Sequence, residues 1–139
     1  YSRPTKDKTA EFFEVCKSLA DYVFLDCTSS LDDTLSVYGM AAADKAVQLV
    51  TPDIRSAAYY ASFEKTYEQI KSKSIGVINI TDKDLYLPVG EVKAGFANAK
   101  YILPYSIYLK QQYITGELTH KIPDQKFSAV CRGIAGAVL

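Results

Sequence analysis

The sequence predicts an α/β protein, a three-layer α/β/α arrangement around a mainly parallel sheet. Three observations carry this. Short apolar runs bounded by polar residues alternate with longer segments whose apolar residues recur at helical spacing. The connecting segments are long enough for right-handed βαβ crossovers, which parallel strands require. Several runs are continuous rather than alternating, as in strands buried on both faces.

Residues from about Thr5 to Leu19 read as a helix, with Phe12, Phe13, Val15, Cys16 and Leu19 near helical spacing. The first strand is Tyr22–Cys27. A loop with a short helix spans Leu31 to Ala43, and the second strand, Lys45–Thr51, is expected at the centre of the sheet. Pro52 and Asp53 open the next helix, since Pro suits a first turn and Asp complements the exposed N–H groups there. That helix runs to about Lys73, and its stripe Tyr60, Phe63, Tyr67 and Ile70 lies on one face. The third strand is Ser74–Thr81. A helix from Pro88 to Asn98, a short fourth strand from Lys100 to Pro104, and helices near Ile107–Tyr113 and Lys126–Val138 complete the series. No internal repeat, low-complexity tract or interior linker interrupts it, so residues 1–139 read as one domain.

Composition narrows the class. Sixteen Lys and Arg balance 16 Asp and Glu, which gives no strong nucleic-acid or membrane signal. No apolar stretch approaches the ~20 residues that a bilayer span needs. The polar start lacks the apolar core of a signal peptide, and it lacks an initiator Met, so a processed chain or a piece of a longer one is expected. Cys16, Cys27 and Cys131 are widely spaced and form neither a disulfide framework nor a CxxC metal motif. They suit a reducing, cytoplasmic location.

The run Asp21-Tyr-Val-Phe-Leu-Asp26 carries the most chemistry. A carboxylate at the carboxyl end of a parallel strand lies at the edge where open α/β sheets bind ligands. In nucleotide-binding folds such a residue holds Mg²⁺, directly or through water. The plainer alternative is a turn-forming Asp that accepts hydrogen bonds from its own backbone.

Several segments, taken in order, resemble the ParA/MinD group of P-loop ATPases with a deviant Walker A lysine, and most nearly its TadZ/CpaE branch in pilus assembly and polar localisation. Asp21 to Asp26 resembles the Walker B strand, and Cys27-Thr28-Ser29-Ser30-Leu31-Asp32-Asp33 is similar to the Ser/Thr-rich loop that follows it in that branch. Ala42 to Asp53, with Ser56, resembles the family's segment of alanine-aspartate, strand, threonine-proline and serine. Asn79 sits where members carry an adenine-binding Asn, and Leu103-Pro104-Tyr105 resembles the segment beside the base. Thr115-Gly116-Glu117 falls where a Gly commonly follows. The resemblance runs from about Leu19 to the C-terminus.

It implies the carboxyl-terminal part of a Rossmann-like P-loop NTPase fold that acts as a nucleotide-dependent dimeric switch, positioning or assembling a pilus, secretion or partition machinery. ATP and Mg²⁺ would be its cofactors. Asp26 would orient the Mg²⁺-bound water, Asn79, Pro104 and Tyr105 would hold adenine, and Thr28 would lie near the phosphates. A homodimer is implied, with protein partners in an assembly at the membrane or cell pole.

One departure is large. A P-loop is a Gly-rich turn ending in Lys and Ser or Thr, whose backbone N–H groups surround the phosphates. None of the seven glycines sits in such a loop. Gly133 and Gly136 share a segment that lacks the following Lys-Ser/Thr. Roughly the first half of a family domain is therefore expected upstream, and this chain alone is not expected to hydrolyse ATP. The alternative is a non-catalytic α/β scaffold or partner-binding module that has lost the ATPase site.

Other patterns carry less. A single histidine, His120, excludes His-based triads and multi-His metal sites. Tyr60, Tyr67 and Tyr101 have core spacing, whereas Tyr105, Tyr108 and Tyr113 suggest an exposed aromatic patch at a partner surface. Lys65, Lys71 and Lys73 around Glu64 and Glu68 read as a mixed-charge helix face with i,i+4 pairing. A response-regulator receiver domain would also place an Asp (Asp26), a Thr (Thr51) and a Lys (Lys83) at strand ends. It needs two strands and an acidic pair before the phosphoacceptor, and the 25 residues before Asp26 hold neither.

Overall fold

A computed structural model of the chain describes residues 5–30, 32–84, 88–96, 98–117 and 120–139. Leu31, where the expected first loop begins, and Ala97, inside the expected Pro88–Asn98 helix, lie outside the described residues. The chain forms two compact units, Tyr1–Asp44 and Lys45–Leu139.

The first unit pairs α1 (Lys6–Leu19) with α2 (Thr34–Ala42). Phe13, buried on the inner face of α1, reaches Gly39 of α2. A Cβ at Gly39 would lie 3.5 Å from the Phe13 ring, 3.5 Å from Cys27 Sγ and 2.9 Å from Leu25 Cδ1. The missing side chain thus lets α2 settle on both α1 and the segment between the helices. Asp33 caps α2 by accepting from the Ser36 N–H at 2.9 Å. The buried Ser36 hydroxyl in turn accepts from the Thr28 N–H at 3.0 Å.

Residues 22–27 correct the expected first strand. They join no β-ladder among the described residues. Leu25 and Cys27 turn toward α2, while Phe24 stays 80% exposed and Tyr22 64%. An apolar run only offers the potential to form a strand; without a neighbour to complete its backbone hydrogen bonds it has no ladder to join.

The second unit is built on an all-parallel sheet of β1 (Ala46–Val50), β2 (Ser74–Asn79) and β3 (Ala99–Leu103), in that order. The central strand is therefore β2, and the expectation that Lys45–Thr51 lies at the centre is corrected. The burial patterns give the reason. Five successive residues of β2, Ser74 to Ile78, are buried, whereas β1 alternates, with Leu49 65% exposed. Adjacent strand residues point to opposite faces, and both Val77 and Ile78 are fully buried, so both faces of β2 are covered.

On the Ile78 face lie α3 (Ile54–Ser62) and α5 (Val89–Gly95). Ile78, Val92 and Phe96 form the buried cluster, with Val50, Ala57, Tyr60 and Ala99 against it. Against β3 lies α7 (Gln125–Val138), where the Tyr101 ring meets Gly133 and its hydroxyl donates to the Gly133 carbonyl at 2.9 Å. The β2–β3 register shifts between Gly76 and Val77. Gly76 stands opposite Ala99 but Val77 opposite Tyr101, which leaves Lys100 as an extra residue.

The long helix expected from Pro52 to Lys73 is three pieces: α3, then α4 (Glu64–Glu68), then a 3₁₀ turn over Lys71–Lys73. The break falls at Phe63, directly after Ser62, whose hydroxyl donates to the Ala58 carbonyl at 2.8 Å. The aromatic stripe survives across it. Tyr60 and Tyr67 stack with centroids 5.3 Å apart. An ion pair on this face is Glu68–Lys71 at i,i+3, 2.7 Å long. Finally, α6 (Ile107–Thr115) ends at Gly116 in the left-handed conformation, φ 76°, which a Cβ disfavours.

Candidate functional site

The carboxyl ends of parallel strands are where α/β sheets gather functional groups, because crossover connections leave a crevice there. In the second unit, β1 leads to Thr51 and Pro52, β2 ends on Asn79, and β3 leads to Pro104 and Tyr105. Asn79 stands opposite Leu103 in the ladder, and the Ile80 N–H donates to the Leu103 carbonyl at 2.9 Å. Asn79, Pro104 and Tyr105 are thereby brought to one edge, all half-buried.

At the β1 end of the same edge, a closed hydrogen-bond loop fixes the turn into α3. The Thr51 hydroxyl donates to Asp53 Oδ2, and the Thr51 N–H donates to Ser56 Oγ at 3.1 Å. The Ser56 N–H donates to Asp53 Oδ1 at 2.9 Å. These donors, the Thr51 hydroxyl foremost and then the Ser56 N–H, hold the Asp53 carboxyl below the usual carboxylate range. At the β3 end, the buried Ser106 opens α6, and Asp124 caps α7 by accepting from the Phe127 N–H at 3.0 Å. Ser106 Oγ has no partner at strict hydrogen-bond geometry, yet its hydroxyl lies close enough to Asp124 to help lower that carboxyl, after the Phe127 N–H.

Asp26 and Thr28 belong to the first unit. Asp26 is exposed on the unladdered segment. Thr28 is held by its bonds to Ser36, through its N–H and at 3.5 Å through its hydroxyl. Asp33 is a helix cap. Among the described residues no group of three or more His, Cys, Asp or Glu could hold a metal ion. A carboxylate such as Asp26 suits Mg²⁺ through a bridging water, but the phosphate oxygens that complete that shell need a P-loop. The residues present do not complete the ATP–Mg²⁺ site, and no chemical step follows from them.

One feature was not legible in the sequence reading. Between α3 and α5 runs a groove of about 290 Å³. Its lining includes Ala57, Tyr60, Ala61 and Phe96, with the carboxylates Glu64 and Glu91. Tyr60 meets Phe96 edge-on, centroids 4.7 Å apart. Burial, and then the charges of Glu68 and Glu64, raise the Tyr60 hydroxyl above its usual range. The available signal was Glu91-Val92 and Gly95-Phe96, four residues apart, which set one carboxylate beside an apolar helix face.

Compared with known proteins, the chain matches no family model, no curated protein and no solved structure.

Proposed function

We propose that this chain is the carboxyl-terminal portion of a ParA/MinD-like, TadZ/CpaE-like P-loop ATPase and contributes the base-binding half of its nucleotide site. The observation that carries the reading is the sheet edge, where Asn79 and the Pro104-Tyr105 segment are brought together by the β2–β3 ladder. An Asn amide offers a donor and an acceptor to a purine edge, and a Tyr ring beside a Pro offers a flat apolar surface to its face. The phosphate-binding lysine loop and the strand before it would come from sequence upstream. Asp26 would then hold Mg²⁺ through water, with Thr28 near the phosphates. The product is a homodimeric switch that positions a pilus, secretion or partition assembly at the membrane or cell pole from the cytoplasm. Among the described residues no helix is long and apolar enough to cross a membrane.

ATP titrated into the isotope-labelled chain tests the base-binding edge. Amide shifts should concentrate at residues 78–80 and 103–106 and weaken in Asn79→Ala. Shifts absent at millimolar ATP overturn that edge. In the complete polypeptide, Asp26→Asn should abolish hydrolysis with the fold intact, and unchanged turnover removes Asp26 from the site.

A second reading has its own support. Asp26 is exposed on a segment that joins no ladder among the described residues, and a Walker B carboxylate needs a strand to aim it. That favours a non-catalytic scaffold. No hydrolysis by the complete polypeptide, together with no ATP shifts, would leave this reading standing.

A further inference from the structure

We propose that the groove between α3 and α5 binds an organic ammonium ion, an amine carried on a small apolar body. The site lies in the second unit and is independent of the nucleotide reading. At about 290 Å³ the groove falls at the lower end of ligand-pocket volumes, ~300–1,000 Å³, so its occupant is small. Ala57 and Ala61 keep one wall shallow, and the half-buried Tyr60 supplies apolar surface that gains by leaving water, beside the buried Val92 and Phe96.

Charge selects the class. Glu64, the first residue of α4, and Glu91, in the first turn of α5, both line the groove. Neither forms an ion pair among the described residues, while the neighbouring Lys71 is already engaged by Glu68 at 2.7 Å. An anion would meet two like charges. A neutral ligand would gain only the apolar wall. An ammonium seated on the apolar wall is also attracted by these two exposed carboxylates. The Tyr60 hydroxyl is raised mainly by burial, then by Glu68 and by the groove's Glu64, with the Lys71 charge acting the other way.

Three probes of one shape separate these terms: phenethylammonium, phenethyl alcohol and phenylpropionate, each titrated into the isotope-labelled whole chain and followed by amide shifts. The ammonium should bind about tenfold more tightly than the alcohol, with the carboxylate weakest, and the shifts should centre on residues 57–64 and 91–96. Glu64→Gln with Glu91→Gln, both at exposed positions, should lower the ammonium to the level of the alcohol. Ala61→Phe should fill the groove and weaken both. An ammonium no tighter than the alcohol overturns the proposal, as do shifts centred elsewhere or a preference that survives the double substitution. An unchanged amide spectrum of each free variant, away from the substitution, confirms that it is folded.

Discussion

Two stretches of this chain share one signature, an apolar run closed by Asp or Asn, and meet opposite fates. Ile75 to Asn79 is laddered on both sides, with Val77 and Ile78 fully buried. Tyr22 to Asp26 joins no ladder among the described residues and leaves Phe24 80% exposed. A run of large apolar side chains records what a segment could bury. Whether it does so depends on neighbours that its own residues cannot specify.

The sharpest test of this contrast is truncation. Ile78→Ala should cost about 4 kcal/mol in urea unfolding, because a fully buried isoleucine leaves a cavity within a packed cluster. A loss below about 1 kcal/mol would break the comparison on its ordered side. Gly76→Ala should cost about 2–3 kcal/mol, since the new Cβ would stand 2.6 Å from the Asn98 carbonyl oxygen, backbone that moves only if β2 and β3 separate.

Smaller effects sharpen it. Tyr101→Phe removes one hydrogen bond to Gly133 and keeps the ring packing, for a loss of about 1 kcal/mol in the same assay. Asp53→Ala should cost a similar amount at neutral pH by uncapping α3. Its folded carboxyl is lowered by the Thr51 hydroxyl and the Ser56 N–H, so its contribution is complete above the unfolded value, ~3.9, and is lost as pH falls through the folded value. The difference between wild type and Asp53→Ala should therefore shrink on acidification, as unfolding curves across the acid range will show. The smallest change expected is Phe24→Ala, within about 0.5 kcal/mol. A cost near that of Ile78→Ala would mean that the 22–27 run is as well packed as β2.

Most elements were legible because their determinants are local. Helix caps such as Asp53 and the continuous apolar run of β2 act within a few residues. What was lost depended on distant partners. The order β1-β2-β3 is set by pairing between strands distant in sequence. In the candidate site, Asn79 and Pro104-Tyr105 were legible as strand-end residues, while their adjacency follows from register. Glu64 and Glu91 belong to separate helices 27 positions apart, and no periodicity joins them.

The extra residue at Lys100 makes the β2–β3 ladder a vernier. In an unshifted ladder Asn79 would face Ile102, and Tyr101 would stand on the Ile78 face rather than the Val77 face. One inserted position therefore sets two things at once: the ring takes the phase that meets α7, and the Pro104 segment is drawn level with the end of β2. Deleting Lys100, an exposed lysine next to Tyr101 and four positions before Pro104, would act as a frameshift in three dimensions, sliding the sheet edge by one rung.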